Sequence, residues 1–388
     1  MGRAEADVAI VGAGGAGLSL LHQLALRGPA GLSVALVDPV RRLRDQPDDR
    51  TWCFWDDGAS DVDEALARSW SRVRVTTPRA RLGLDLNPMR YVMLRSSDYY
   101  ALVEREAAAL DVAHVEASAT SLDDDGERVV VRTPAGDVSA RWVFDSRPAP
   151  HERRGTALLQ HFRGAVVRTG ADVFDAELPT LMDFTTPQPE RGLSFGYCLP
   201  LDSRRALVEY TEFSPAVLDD EGYTAALSGY LRSVLGSTPY EVSHVEQGVI
   251  PMTAGVFSRR VGPRTFRLGT AGGATRASTG YTFAAMQRQA RAVALALRGS
   301  RDPLPPRAYP RRHALMDAAM LRGLDAGHLD GPSFFARLFE RNPPQRVLRF
   351  LDGSTGPADE LALMRTVPQR AMVRSGAEAL GLWVGRRR

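Results

Sequence analysis

The chain has 388 residues and a mass of 42.3 kDa, which at roughly 100–200 residues per domain allows two or three domains. With 44% apolar and 24% charged residues and only two cysteines, Cys53 and Cys198, it is not a disordered, collagen-like or coiled-coil protein, a disulfide scaffold or a cysteine-only zinc site. A net charge of +3 is too small to argue for nucleic acid, although all 49 basic residues are arginines, which suit phosphate and lipid headgroups.

The apolar run at residues 8–11 is too short for a secretory signal, and no segment reaches the ~20 apolar residues that span a bilayer. A cytoplasmic protein, or one bound to the inner face of a membrane, is expected. Residues 7–11 read as a buried parallel strand. Gly12, Gly14 and Gly17 follow at once. Residues 18–27 have helical spacing, with Leu18, Leu21, Leu24 and Ala25 on one face, and Gly28-Pro29 stops that helix. A second buried strand at 33–37 ends at Asp38. Further on, 98–110 reads as helix, and 129–131 and 141–144 as strands around a turn at 134–137. The region from 160 to 211 is mostly β, with a hairpin of 194–200 and 205–210 around Asp202-Ser203. A helix is expected at 223–235. A short strand at 266–268 runs into Gly269-Thr270-Ala271-Gly272-Gly273, and a helix follows at 281–298. From 309 onward the pattern is helical, with Phe and Leu pairs that read as exposed.

The amino-terminal strand, glycines, helix, strand and acid stand in the order of a dinucleotide fingerprint. Gly12 makes the tight turn, Gly14 lets backbone approach a pyrophosphate at the helix amino terminus, and Gly17 lets helix and strand pack closely. Asp38 lies near the ~20-residue spacing of an acid that binds ribose hydroxyls. An acid there suits FAD or NAD better than NADP, whose 2′-phosphate it would repel. The late glycine segment, with Gly269, Gly272 and Gly273, suggests a return to a flavin, hence FAD. This order resembles the flavoprotein monooxygenase and reductase superfamily. The expected fold is α/β: a Rossmann-type FAD-binding domain with an inserted β-rich substrate domain and a C-terminal helical region. The FAD-binding domain would comprise 1–75, 95–158 and 263–300, the substrate domain 76–94 and 159–262, and the helical region 301–388.

A closer likeness runs over almost the whole chain. Arg50-Thr51-Trp52-Cys53-Phe54-Trp55 resembles the Thr-Trp-x-Phe segment of bacterial lycopene β-cyclases. Asp145-Ser146-Arg147 looks like their flavin-contacting Asp-Gly-Arg turn. Gln160-His161-Phe162, Leu181-Met182-Asp183 and Tyr197-Cys198-Leu199-Pro200-Leu201 recur in the family at this spacing. Leu207-Val208-Glu209-Tyr210-Thr211 resembles its acidic motif, Glu246-Gln247-Gly248-Val249-Ile250-Pro251 its Glu-x-Gly-x-hydrophobic-Pro segment, and Ala277-Ser278-Thr279-Gly280-Tyr281 its Thr-Gly-Tyr segment. Two departures stand out: Tyr210 replaces a second acid beside Glu209, and Ser146 replaces glycine. Strand alternation puts Glu212 on one face with Tyr210 and not with Glu209.

The resemblance implies cyclisation of lycopene ψ ends to β-ionone rings, through γ-carotene to β-carotene. It further implies reduced FAD, NAD(P)H as reductant and a membrane-dissolved substrate met by peripheral binding. It assigns Glu209 as the catalytic acid. Arg50, Arg95, Asp145, Thr279, Gly280 and Tyr281 join the glycines and Asp38 as cofactor residues. Trp52, Phe54, Trp55, Phe195 and Tyr210 are the substrate-binding candidates. The chemistry needs a carboxyl protonated near neutrality in a dry pocket, where desolvation raises its pKa, and aromatic faces that attract a carbocation; Tyr281 could serve in the latter role too. Basic Phe-rich helices at 334–339 and 347–351, with Arg386, Arg387 and Arg388, would suit anionic headgroups. His22 and His161 read as structural. No spacing suggests a metal, and no Gly-x-Ser-x-Gly elbow is present. A flavin monooxygenase, a prenyl reductase or a cyclase of another terpenoid are the alternatives. Oligomeric state stays open.

Overall fold

The computed structural model describes residues 4–40, 49–149 and 155–385. The first sheet is parallel at its centre, in the order Asp111–Val115, Ser33–Val37, Ala4–Val11, Val138–Asp145. Thr265–Arg267 pairs in parallel with the carboxyl half of the last of these, and Val129–Arg132 and Ser121–Asp124 extend its amino half antiparallel. Alternation splits the strand residues cleanly. Val8 and Ile10 face the helices Gly15–Arg27, Ser96–Ala107 and Phe283–Arg298, while Ala9 and Val11 face a second apolar cluster with Val129, Val131 and Val143.

The second sheet carries seven strands: Tyr240–Thr253, Ala157–Thr169, Arg205–Ser214, Leu193–Pro200, Thr180–Asp183, Arg72–Thr76 and Arg81–Asp85. All pairs are antiparallel except Thr180–Asp183 with Arg72–Thr76. Helix Asp220–Leu235 covers one face, packing Leu227, Tyr230, Leu231 and Leu235 on Ala206, Val208, Ala165 and Val167. Between the two large sheets lies a small one, Thr51–Asp56, Arg90–Arg95 and Leu66–Trp70.

The carboxy-terminal helices pack against the other face of the second sheet. Phe334, Phe335, Leu338 and Phe339 of Gly331–Glu340, and Val347, Leu348 and Leu351 of Pro344–Leu351, are all at most 5% exposed. This corrects the expectation of exposed apolar pairs. Phe335 stacks on Phe184 at 5.5 Å, so these helices are amphipathic with their aromatic stripe turned into the core. Arg386, Arg387 and Arg388 lie outside the described residues. The helix expected from 281 starts at Phe283 instead. Gly280 has φ +71°, and Arg276 N–H donates to Tyr281 O at 3.0 Å, closing a loop before the helix can begin.

Candidate active site

The glycine turn separates two jobs. A Cβ on Gly17 would lie 1.9 Å from Gly12 O, so glycine there is a demand of the fold itself. A Cβ on Gly14 would meet no atom of the described residues within 4 Å, so glycine there leaves space for something outside the chain. Gly12 has φ +95°, and Ser146 Oγ donates to Val11 O and Gly12 O at 3.1 and 3.0 Å. The serine that departs from the family pattern thus pins the turn. Asp38 accepts from Ala13 N–H at 2.7 Å and Val40 N–H at 2.9 Å, holding the same loop from the next strand. Asp145 is engaged by Arg147 at 2.8 and 2.9 Å. Arg95 pairs with Asp49, and Arg50 is on the cavity wall.

A cavity of about 690 Å³ runs from Gly14 past Trp52, Gly280 and Tyr281 to Glu209 and Glu246 on the second sheet. Helix Phe283–Arg298 points its amino terminus at it, with Thr282, Phe283 and Met286 on the wall. Thr270 and Ala271 of the Gly269–Gly272 turn also line it, whereas Gly269 and Gly272 face Ala16 Cβ and Arg267 O and serve the packing of that turn. Gly273 likewise lies against the Phe257 ring. A buried polar atom on the wall, Gln160 Oε1, has no hydrogen-bond partner among the described residues, while the Tyr281 hydroxyl lies beside that of Tyr197. In a dry interior an unpartnered polar atom is expensive unless a ligand satisfies it.

Glu209 is buried and accepts a 2.6 Å hydrogen bond from Thr211 Oγ1. Among the described residues no arginine or histidine forms an ion pair with it. Burial first, and then the negative charge of Glu246, push its pKa up, and the Thr211 bond offsets only part of this. Glu246, also buried, accepts from Thr51 N–H at 2.9 Å. Burial raises its pKa too, opposed by its bonds to Thr51. The register explains how the two meet. Gly164 pairs with Glu209 on one side and Glu246 on the other. One row of the sheet therefore reads Glu, Gly, Glu, and all three positions face the cavity side. Glu246 had no role in the sequence reading. It belongs to a matched motif, but its row-mate Glu209 is reached only through a third strand far away in sequence.

Several expected residues sit elsewhere. Tyr210 is a correction: its hydroxyl donates to Glu212 at 2.8 Å on the opposite face, under helix Asp220–Leu235. His161 lies in the same buried group, 2.8 Å from Ser214 Oγ and 2.9 Å from the Tyr223 hydroxyl, its pKa lowered mainly by burial. Successive residues on a strand face opposite ways, so a neighbour of Glu209 in sequence cannot share its pocket. Phe195 is core, edge-on to Phe213 at 5.3 Å and Tyr197 at 5.2 Å. Phe54 stacks behind the wall on Phe283 at 5.1 Å, and Trp55 meets Tyr281 edge-on at 4.6 Å without lining the cavity. Of the aromatic candidates, Trp52 and Tyr281 are on the wall, joined by Tyr197, which the sequence reading did not propose. Thr279 is a further correction: its hydroxyl donates to Leu351 O at 3.1 Å, toward the carboxy-terminal helices. Among the described residues there is no cluster of three or more His, Cys, Asp or Glu side chains suited to a metal.

Among solved structures, a geranylgeranyl bacteriochlorophyll reductase-like protein from Thermoplasma acidophilum superposes with a TM-score of 0.64 at 12% identity, over 97% of this chain and 100% of that one. The p-nitrophenol 4-monooxygenase of Pseudomonas putida DLL-E4 gives 0.59 at 15% identity, over 98% and 99%. A flavin-dependent brominase gives 0.62 at 15%, over 92% and 97%. At these identities the likeness is one of fold, the Rossmann-type flavoprotein fold. No curated protein sequence matches the chain. The family model described as lycopene cyclase protein matches residues 7–377, and the chain belongs to that family.

Proposed function

We propose that the protein is a lycopene β-cyclase, and that Glu209 is the acid that starts ring closure. The observation that carries this reading is a buried carboxyl without a cationic partner among the described residues, its pKa raised, on the wall of a cavity that also holds Trp52, Tyr197 and Tyr281. Such a carboxyl keeps its proton near neutrality. It can protonate the terminal double bond of an acyclic ψ end, leaving a tertiary cation beside aromatic faces that favour it. An internal double bond then closes the ring, and loss of a proton completes an isomerisation without net redox change.

The opposite end of the cavity suits FAD. Gly14 offers a backbone surface clear of the described side chains, the helix amino terminus favours a pyrophosphate, and Gln160 carries a polar atom with no partner among the described residues. When bound in reduced form, with NAD(P)H as reductant, FAD would supply negative charge near a developing cation. A hydrocarbon substrate implies contact with a membrane. No helix among the described residues is long and apolar enough to cross one, and the aromatic helices face inward. The edge strand Tyr240–Thr253 is the better surface: Val242, Val245 and Val249 are 50–54% exposed, and Val249 borders the cavity. An apolar sheet edge beside the pocket is a natural contact for lipid.

Expression in a lycopene-accumulating bacterium tests the proposal. Pigment should change colour at constant carotenoid mass. Glu209→Gln should cut ring formation by about 10²–10⁴-fold, the usual range for general acid catalysis, with flavin retained. A product of altered mass would instead support a monooxygenase or reductase.

A further inference from the structure

Resting on that reading, we propose that Glu246 is the base that takes the proton back at the end of ring closure, so that Glu209 and Glu246 work as a pair holding one proton. Both carboxylates stand in one row of the second sheet, separated by Gly164 alone. Two strand steps of about 4.8 Å put their Cα atoms roughly 10 Å apart. Glycine leaves no side chain between them: a Cβ there would already lie 3.2 Å from Glu209 Cβ and 3.1 Å from Leu207 Cδ1. Both line the same cavity.

Their hydrogen bonds differ in a way that sets the direction of transfer. Glu246 is held by a backbone N–H, which can only donate and so favours the ionised form. Glu209 is held by a hydroxyl, which can adapt to either form, and no backbone donor reaches it among the described residues. The groups facing Glu246 are Thr51 and Cys53 on the small sheet, and Asp49 just before it. His244 lies along its own strand, its Nε2 2.9 Å from Asp49 O, and Glu209 lies across the row. Asp49 is itself neutralised by Arg95. One proton on the pair, resident on Glu209, is the state this arrangement favours.

The step balances within the protein. The Glu209 O–H bond breaks as a C–H bond forms at the terminal alkene. The internal alkene closes a C–C bond and moves the cation into the ring. A C–H bond beside that cation breaks, its electron pair becomes the ring double bond, and its proton passes to Glu246. Transfer across the Gly164 gap then returns the proton to Glu209. No electron is gained or lost.

The test compares wild type, Glu209→Gln, Glu246→Gln and Glu246→Asp with bound reduced FAD and lycopene in vesicles, over a range of pH. Wild type should show a bell, with an alkaline limb from Glu209 and an acid limb from Glu246. Glu246→Gln, which still accepts from Thr51 N–H, should lose 10²-fold or more in rate, lose the acid limb and keep its flavin. Glu246→Asp should keep the acid limb at a lower rate. Infrared titration of the apoprotein supplies a readout free of catalysis: the protonated carboxyl present at neutral pH should vanish in Glu209→Gln and persist in Glu246→Gln. Wild-type rate and both limbs in Glu246→Gln would overturn the inference. So would flavin loss in both Glu246 variants, which would make the residue structural. A wild type that cyclises nothing overturns the parent reading instead, while the infrared result stands on its own.

Discussion

Replacing Glu209 by glutamine should stabilise the folded protein increasingly as pH rises. The sign follows from the direction of the pKa shift. A buried carboxyl with a raised pKa holds its proton in the folded state over a range where the unfolded chain has released it, from its ordinary value near 4.5 upward. The folded state then binds more protons, so unfolding becomes easier with every step in pH across that window. Stability from this group is complete below the ordinary value and is lost as pH climbs toward the raised one. One proton corresponds to about 1.4 kcal/mol per pH unit. Between pH 5 and pH 7 wild type should therefore lose up to about 2.7 kcal/mol relative to the glutamine variant. Burial leaves little water to screen the effect. Glu246, Asp49, His244, Cys53, Tyr197 and Tyr281 are present in both proteins and cancel to first order. A changed bond to Thr211 shifts the variant by a constant and leaves the slope alone. Urea unfolding of the apoproteins at several pH values measures the difference directly. Parallel stability curves would refute the reasoning, because Glu209 would then titrate alike in folded and unfolded chains.

Three further outcomes are expected. Gly14→Ala should fold with near-parental stability but lose flavin on gel filtration, whereas Gly17→Ala should fail to fold, since its Cβ would meet Gly12 O at 1.9 Å. Phe335→Ala should lower stability by about 3–5 kcal/mol in denaturant titration, as for a buried core aromatic, with vesicle binding of the folded fraction unchanged. Val245→Glu, on the exposed sheet edge, should do the reverse: weaker sedimentation with vesicles at little change in stability.

What the sequence revealed was what local spacing encodes. The glycines, the two strands around them and Asp38 lie within one βαβ unit, and strand alternation was enough to part Glu209 from Glu212. The same alternation should have removed Tyr210 from the pocket. Its adjacency to Glu209 in the chain is opposition in space, and the structure bonds it to Glu212. Glu246 was hidden for a different reason. Its place beside Glu209 depends on the register of two strand pairs meeting at Gly164, and register between distant strands leaves no periodic trace. The Phe-rich segments were legible as helices with exposed apolar pairs, but which way an apolar stripe turns is decided by the surface it finds, here the second sheet.

The loop that carries Gly280 and Tyr281 is tied to the carboxy-terminal helices rather than to the glycine turn it faces. Fully buried Arg276 holds Asp317 at 3.1 Å, donates to Phe350 O and lies over the Phe350 ring. Ser278 reaches Asp317 at 2.8 Å, and the Tyr309 hydroxyl donates to Tyr281 O at 3.1 Å. A buried arginine stripped of its carboxylate is strongly destabilising. For anyone recombining relatives of this protein, residues 274–282 and 309–351 therefore form one inheritable block. A crossover placed between them would leave a foreign helix opposite Arg276 and would distort a cavity wall to which that helix contributes no side chain.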